Sequence, residues 1–348
     1  MKLAFVVNRI ETEREDYTTI RLARVAANAG HAVALIGLAD FIYETDGSVC
    51  ARAHCPRRDD YADDAALLAE LQGPDARVER IRVDELDVLM LRSDPADELV
   101  ERPWAPNSAL LFAQLAAARQ VIVVNDPAHL TDACNKTYFQ HFPEEVRPAT
   151  CIARDPEVIK QFIAAQGGRA VIKPLQGSGG QGVFVVAPGG EANLNQMIEA
   201  VIRDGYAIAQ EYLPRAAEGD LRLIMLNGRP LQVDGVYACL RRYNDSGDAR
   251  SNIKAGGKIQ KAQPDADALR LAELVAPKLV RDGMYLVGLD IVGDRMMEIN
   301  VDTPGGLNMI EELTGVDFSR HIIADLERKV RLRHQYRGTL ANAELAVL

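Results

Sequence analysis

Five cysteines in 348 residues (Cys50, Cys55, Cys134, Cys151 and Cys239) are an odd number without framework-like spacing. Such a set carries no disulfide scaffold and fits a reducing compartment. No apolar run approaches the roughly 18 residues that a membrane span requires, and the chain opens on a strand pattern rather than a signal peptide. A cytoplasmic protein with no membrane partner is expected. Basic residues are in deficit, 40 Lys and Arg against 50 Asp and Glu, for a net charge of -10. That balance argues against broad nucleic-acid binding while leaving room for a local basic groove that holds phosphates. Cys50, His54 and Cys55 raise the question of zinc, but no second ligand pair stands nearby and the spacing is not that of a structural site. A surface loop is expected there.

Apolar side chains are plentiful: 48% of the residues are hydrophobic, enough at this length for a large core divided among two or three domains. Residues 2–8 (KLAFVVN) read as a buried strand, residues 17–29 as a helix closed by Gly30, and residues 31–37 as a second strand. Strands at 86–91 and 121–124, with a helix over 108–119 between them, complete a small α/β domain with a parallel sheet over residues 1–127. Ligands of such sheets sit at the carboxyl ends of strands, which draws attention to Asn8, Arg9, Arg92 and Asp94. Each is equally suited to satisfying loop backbone groups.

Beyond residue 127 the pattern changes. A helix is expected over 132–142 and an extended segment over 148–153, followed by a helix with Asp155 as N-cap and Pro156 at its first position. Gly177, Gly179 and Gly182 then match G-x-G-x-x-G, but that dinucleotide fingerprint requires a helix directly after the glycines, and residues 183–186 (VFVV) are β-rich. A glycine loop between two strands, with Lys173 on the leading one, is a phosphate cover: bare backbone N–H groups approach phosphate oxygens while the lysine supplies charge. A protein kinase places its lysine after the loop and needs H-R-D and D-F-G tracts, which this chain lacks.

After a helix at about 192–204, a strand over 206–214 leads to a second one ending at Asn227-Gly228, a strong hairpin signal. Arg222 sits among apolar residues, where a cation needs an anion, either an incoming one or Asp220 on the same face. Arg241, Arg242, Arg250, Asn252 and Lys254 concentrate polar and positive groups in a Gly-containing segment, suited to holding carboxylate or phosphate oxygens or simply to solvation.

The most informative stretch is GLDIVGDRMMEINVDTPGG at residues 288–306. It places three hard oxygen ligands, Asp290, Glu298 and Asn300, in apolar segments that read as two strands paired around Gly293-Asp294. Asp290 and Glu298 are eight apart, so they face each other only across an odd-length loop or a bulge; a strict two-residue turn would set them on opposite faces. Glu298 and Asn300 share a face in any strand. Such ligands suit Mg²⁺, whose octahedron substrate phosphates complete, and suggest an enzyme that uses ATP. An ordinary hairpin with exposed carboxylates is the alternative.

Taken in order, these residues resemble the ATP-grasp carboxylate-amine ligases, and bacterial glutathione synthetases in particular. The likeness runs through Lys136, Lys173 and its loop (Gly177, Ser178, Gly179, Gly180, Gln181, Gly182), Gln210, Glu211, Tyr212, Leu213, Asp220, Arg222, Arg250, Asn252, Asp290, Glu298 and Asn300. It is strong over residues 121–304 and extends weakly into the N-terminal domain. The resemblance implies an α/β protein with an α+β catalytic part: an ATP-grasp fold preceded by a small Rossmann-like parallel domain. Its units would be residues 1–127 on the substrate side, a central lid at 128–208 carrying the glycine flap, and a catalytic subdomain at 209–348.

The roles implied by that resemblance are specific. Lys136 and Lys173 would contact the phosphates of ATP, the Glu211, Tyr212 and Leu213 backbone the adenine edge, and Asp220 the ribose. Asp290, Glu298 and Asn300 would hold two Mg²⁺ ions, for which Mn²⁺ substitutes. Arg222 would neutralise the transferring phosphoryl, and Arg250 with Asn252 the acyl phosphate or tetrahedral adduct. The activity implied is amide formation between γ-glutamylcysteine and glycine, with small-molecule acyl and amine substrates and a homo-oligomeric enzyme. Two segments depart from the synthetase pattern, residues 9–17 and Asp302 to Gly306, where Asp302 adds a negative charge and Gly305-Gly306 opens space. They keep a ligase for another amino acid or small peptide in view, beside a silent ATP-binding module. The C-terminal residues 308–333 read as a helix on the ligase core, and the tail beyond them as either a subunit contact or a frayed end.

Overall fold

The computed structural model describes residues 1–98, 100–133, 135–177, 181–190, 193–244 and 257–348. The first sheet has the order β4-β3-β2-β1-β5-β6, built from β1 (Lys2–Val7), β2 (Ala32–Tyr43), β3 (Val49–His54), β4 (Val78–Arg82), β5 (Val88–Leu91) and β6 (Ile122–Val124). The run from Leu3 to Val7 is fully buried because both faces are covered, as a parallel sheet requires. Leu3, Phe5 and Val7 meet α1 (Thr18–Asn28), while Ala4 and Val6 belong to the cluster on the opposite face with α3 (Ala105–Ala118). Between them in sequence, α2 (Asp64–Gln72) starts on the Asp63 side chain, which accepts from Ala66 N.

The expected all-parallel sheet is corrected on one side. β1 pairs in parallel with β2 and β5, and β5 with β6, but β3 and β4 add antiparallel strands at the edge. Their polar alternation, as in the edge strand VERIR, masks them in sequence. The Cys50 to Cys55 surface loop is corrected too, since Cys50 and His54 lie on β3 and both cysteines are buried. A ring nitrogen of His54 lies 2.6 Å from the Leu71 carbonyl oxygen.

The second sheet is antiparallel, in the order β7-β10-β8-β9, from β7 (Thr150–Ala153), β8 (Ala170–Pro174), β9 (Phe184–Val186) and β10 (Ala207–Glu211). Helices α5 (Pro156–Ala165) and α6 (Leu194–Ile202) cover it through Ile159, Ile163, Ile198 and Val201. Asp155 caps α5 as its sequence predicts, accepting from Glu157 N at 2.9 Å. Before this sheet the expected helix over 132–142 is replaced by a short α4 (Pro127–Asp132) and a 3-10 turn at Lys136–His141. Asn135 interrupts them because its side chain accepts from Thr137 N and restarts the chain.

The third sheet contains β11 (Asp220–Leu226), β12 (Arg229–Pro230), β15 (Cys239–Tyr243), β16 (Lys258–Lys261), β17 (Leu286–Val292) and β18 (Arg295–Asn300), with a small ribbon of β13 (Gln232–Val233) and β14 (Val236–Tyr237) beside it. Asn227 and Gly228, both at positive φ, make the β11–β12 turn that their sequence announces. Helix α7 (Ala266–Arg281) packs Leu271, Val275 and Leu279 in the cluster that holds Leu223, Met225 and Val287.

One long C-terminal helix is not formed: Gly315, at φ +75°, closes α8 (Leu307–Thr314), and α9 (Phe318–Gln335) restarts on the Asp317 cap. The tail is neither frayed nor free. Its α10 (Asn342–Val347) buries Leu345 and Ala346, and Asn342 bonds both the N–H and the carbonyl of Val123. No helix among the described residues is long and apolar enough to cross a membrane.

Candidate active site

A cavity of about 880 Å³ opens between the second and third sheets, where ligands of multi-domain enzymes commonly bind. Val171, Phe184, Ile208 and Leu213 give it an apolar end. Lys136, Lys173, Gly177 and Gln181 line it together with Arg222, Asp290, Glu298 and Asn300. Residues more than 160 positions apart therefore meet in one site.

On the sheet-two side, Lys173 projects from β8 and donates to Gln210 Oε1 at 3.0 Å, while Gln210 donates to Thr150 Oγ1 at 3.3 Å. Burial pushes the Lys173 ammonium down to about 8, against the opposing pull of Glu298. Lys136 donates to the Gly177 carbonyl and stands 3.6 Å from Glu298. The glycine segment joins the antiparallel strands β8 and β9, so no helix follows it. Glu211, Tyr212 and Leu213 continue from β10 along the wall, and the Arg169 guanidinium covers the Tyr212 ring at 4.1 Å.

On the sheet-three side, β17 and β18 turn through Gly293 and Asp294, and a bulge between Asp290 and Ile291 sets Asp290 opposite Glu298. Asn300 follows two residues later and donates to Asp290 Oδ2 at 3.2 Å. Arg222, the cross-strand partner of Asp290, grips both of its carboxylate oxygens and donates to Gly305 O at 3.1 Å. Burial alone would raise the Asp290 carboxyl, but Arg222 and Arg242 hold it below the ordinary carboxylate range.

Arg242 is the functional-site residue that sequence reasoning undervalued. It lies buried in β15 rather than in a solvated loop, binding Asp220 and standing 2.9 Å from Asp290. The signal was present in the alternation around it, since an arginine facing inward from a strand needs a buried carboxylate. Asp220 is corrected at the same time: it faces Arg242 across the sheet rather than bridging to Arg222 along its own strand. Its carboxylate is fully buried against Arg242, and Asp220 is not among the residues that line the cavity. Gly219 before it is obligatory, because at φ +95° a Cβ would stand 2.0 Å from the Arg242 carbonyl oxygen.

Gly182 also lies outside the wall, with φ +68° that suits the turn into β9. Ser178, Gly179, Gly180, Arg250 and Asn252 lie outside the described residues. At the far end of the cavity, Asp94 and Asp302 line the wall, and burial together with Asp94 pushes the Asp302 carboxyl up to about 8. Nearby, Arg92 is buried and donates to Pro304 O at 2.9 Å.

Two antiparallel sheets closing on a lysine pair, a glycine-rich hairpin and a carboxylate hairpin define an ATP-grasp ligase. The fold is shared with solved ligases of low sequence identity. D-cycloserine synthetase DcsG matches with a TM-score of 0.61 at 15% identity over 94% of this chain and 99% of that one. The macrocyclase MdnC from Microcystis aeruginosa matches with a TM-score of 0.59 at 14% identity over 94% and 98%. More specifically, the family model for the prokaryotic glutathione synthetase N-terminal domain matches residues 1–131, and that for the prokaryotic glutathione synthetase ATP-grasp domain matches residues 135–315. Glutathione synthetase of Gloeobacter violaceus is 32% identical over 331 residues, 93% of this chain and 95% of the relative. That of Synechocystis is 28% identical over 334 residues, 94% and 100% respectively. The chain belongs to the prokaryotic glutathione synthetase family, whose members use ATP and a divalent metal.

Proposed function

We propose that this ligase joins γ-glutamylcysteine to glycine, with one ATP consumed and ADP and phosphate released. The observation that carries the reading is the convergence of Lys136, Lys173, Asp290, Glu298 and Asn300 on a single cavity. Residues 1–127, 128–208 and 209–348 act as its substrate, lid and catalytic units.

The donor set fits a hard cation, because two carboxylates and an amide oxygen on facing strands are oxygen ligands of the kind Mg²⁺ takes. Mg²⁺, with two ions expected and Mn²⁺ as a substitute, supplies charge neutralisation on the phosphates when bound. Lys136 and Lys173 hold phosphate oxygens, and Gln210 orients the Lys173 ammonium. The Glu211 to Leu213 backbone receives the adenine edge beside the apolar wall. Arg222 is assigned to neutralise the transferring phosphoryl, and Arg250 with Asn252 to the acyl phosphate and the tetrahedral adduct.

In the first step a carboxylate oxygen of the donor attacks the γ-phosphorus, the bond to the β-phosphate oxygen breaks, and ADP leaves. In the second the acceptor amine attacks the acyl carbon, the C–N bond forms, the C–O bond to phosphate breaks, and the amine gives up a proton. The protein's part is to position both reactants and to compensate developing charge. ADP release by the purified chain, stimulated by donor and acceptor together, tests the reading; silence across a broad panel of amino acids and dipeptides leaves only a nucleotide-binding module. A homo-oligomer in the cytoplasm belongs to the same reading, and light scattering tests the first of these.

A further inference from the structure

The first sheet changes its winding direction between β1 and β5, and crevices at such points take ligands at the carboxyl ends of the strands. There the Asn8 side chain donates to Asp94 O at 2.8 Å and accepts from Asp94 N at 2.7 Å, which fixes the segment that carries Asp94. Arg92 reaches from the same edge to Pro304 O, so the loop after β18 is held against this crevice. Asp302 lies in that loop, on the wall of the main cavity and also on the wall of a second cavity of about 140 Å³. Leu91, Pro103, Pro106, Leu110 and Leu130 give the second cavity an apolar side, and Ser93, Asn107 and Gln176 add polar groups. Asp302 belongs to the linings of both cavities.

Asp220 and Asp290 each have arginine partners, whereas no hydrogen bond or ion pair reaches the Asp302 carboxylate among the described residues. A carboxylate drawn partly out of water without a hydrogen-bond partner is unfavourable. An incoming ammonium group supplies that partner through a charge-assisted hydrogen bond. A void of about 140 Å³ has room for more than the hydrogen of glycine.

We propose that Asp302 is a specificity-determining residue that receives the ammonium group of the acceptor amino acid, and that the small cavity behind it receives the acceptor's side chain. This rests on the ligase reading above. Asp302 follows the Asn300 strand by two residues, which places the acceptor's nitrogen on the wall shared with Asn300 and Arg222. Acceptors larger than glycine are then substrates in their own right.

The test is steady-state amide synthesis by the full chain with saturating ATP, Mg²⁺ and γ-glutamylcysteine, using glycine, alanine, valine and leucine as acceptors. The wild type is expected to turn over acceptors with side chains. Asp302→Asn is expected to raise the acceptor KM about tenfold or more, as loss of a charged hydrogen bond does, with a much smaller change in the KM for ATP. Leu110→Phe narrows the chamber and is expected to lower the ratio of kcat/KM for leucine to that for glycine about tenfold, the scale of steric discrimination in apolar pockets. Asp302→Thr provides the same readout if the Asn variant does not fold. An active wild type whose Asp302 variants keep the acceptor KM, or raise only the donor KM, overturns the proposal and leaves the ligase reading standing. A wild type that releases no ADP with any donor and acceptor overturns both.

Discussion

Asp290 on β17 and Glu298 on β18 are direct cross-strand partners, although the two-residue turn between their strands would by itself put them on opposite faces. The register shift between Asp290 and Ile291 supplies the missing residue, since Met297 becomes the extra member of a bulge. Asn300 remains on the Glu298 face, and three oxygen ligands converge on the cavity. Glu298→Gln removes one negative charge without changing side-chain size. ADP release is expected to fall by about two orders of magnitude or more, as loss of an electrostatic contact to transferring phosphate does, while the unfolding midpoint stays close to the wild type. Retained ADP production at ordinary Mg²⁺ would remove Glu298 from the metal site.

Arg242 compensates two carboxylates at once, Asp220 and Asp290, in a sheet interior where its own side chain is 9% exposed. Arg242→Ala takes a buried cation away from both anions. A cost of about 3 to 5 kcal/mol is expected from removing one partner of a buried ionic set, and urea unfolding measures it. Lysine at the same position keeps the charge but loses the fork that spans two acceptors, so it is expected to recover only part of the loss.

How far the sequence was legible follows from these two cases. Spacing alone offered either an odd-length loop or a bulge for Asp290 and Glu298, and the choice depends on twist and neighbouring strands that no local pattern contains. The glycine hairpin was legible because VFVV after the glycines excludes a helix, and the fold around β8 and β9 follows from that. Arg242 was not, because Asp220 and Arg222 share a face at spacing two while the closer contact is the cross-strand one. The broken helix at Gly315 and the edge strand β4 escaped for a related reason: an apolar stripe continues across the glycine, and the edge strand carries too much charge to read as core.

Lys173 predicts a pH dependence of nucleotide binding. Burial lowers its ammonium from 10.5 to about 8, with Gln210 in hydrogen-bond contact and Lys136, Glu298 and Asp290 as the nearby charges. Phosphate oxygens in contact with Lys173 favour the protonated form and raise its pKa in the complex. Binding above about pH 8 therefore takes up a proton. ATP affinity is expected to be level below that pH and to fall above it, by at most about tenfold per pH unit. Titration calorimetry in buffers of different ionisation enthalpy reads both the affinity and the proton uptake, and Lys173→Gln should abolish the uptake. A flat profile to pH 10 would contradict the placement of the phosphates.

Glu13 predicts a pH-dependent gain in stability. It is 8% exposed, its Oε2 has no hydrogen-bond partner among the described residues, and burial raises it from 4.5 to about 7 despite nearby Arg92. The folded state therefore holds a proton that the unfolded chain releases between these values, so stability falls as pH rises from about 4.5 to 7. Glu13→Gln is expected to gain up to ~3 kcal/mol at pH 8, from the size of that shift, and to gain nothing at pH 4. Denaturant unfolding at the two pH values separates this from a general packing effect.

The central claim is that ATP activates the donor carboxylate as an acyl phosphate in the cavity of Lys136, Lys173, Asp290, Glu298 and Asn300. Its most direct measurement uses γ-glutamylcysteine labelled with ¹⁸O in the reacting carboxylate, with glycine, ATP and Mg²⁺. The account predicts one labelled oxygen in the inorganic phosphate for each amide formed, with ADP as the nucleotide product. Unlabelled phosphate, or AMP and pyrophosphate in place of ADP and phosphate, would contradict it.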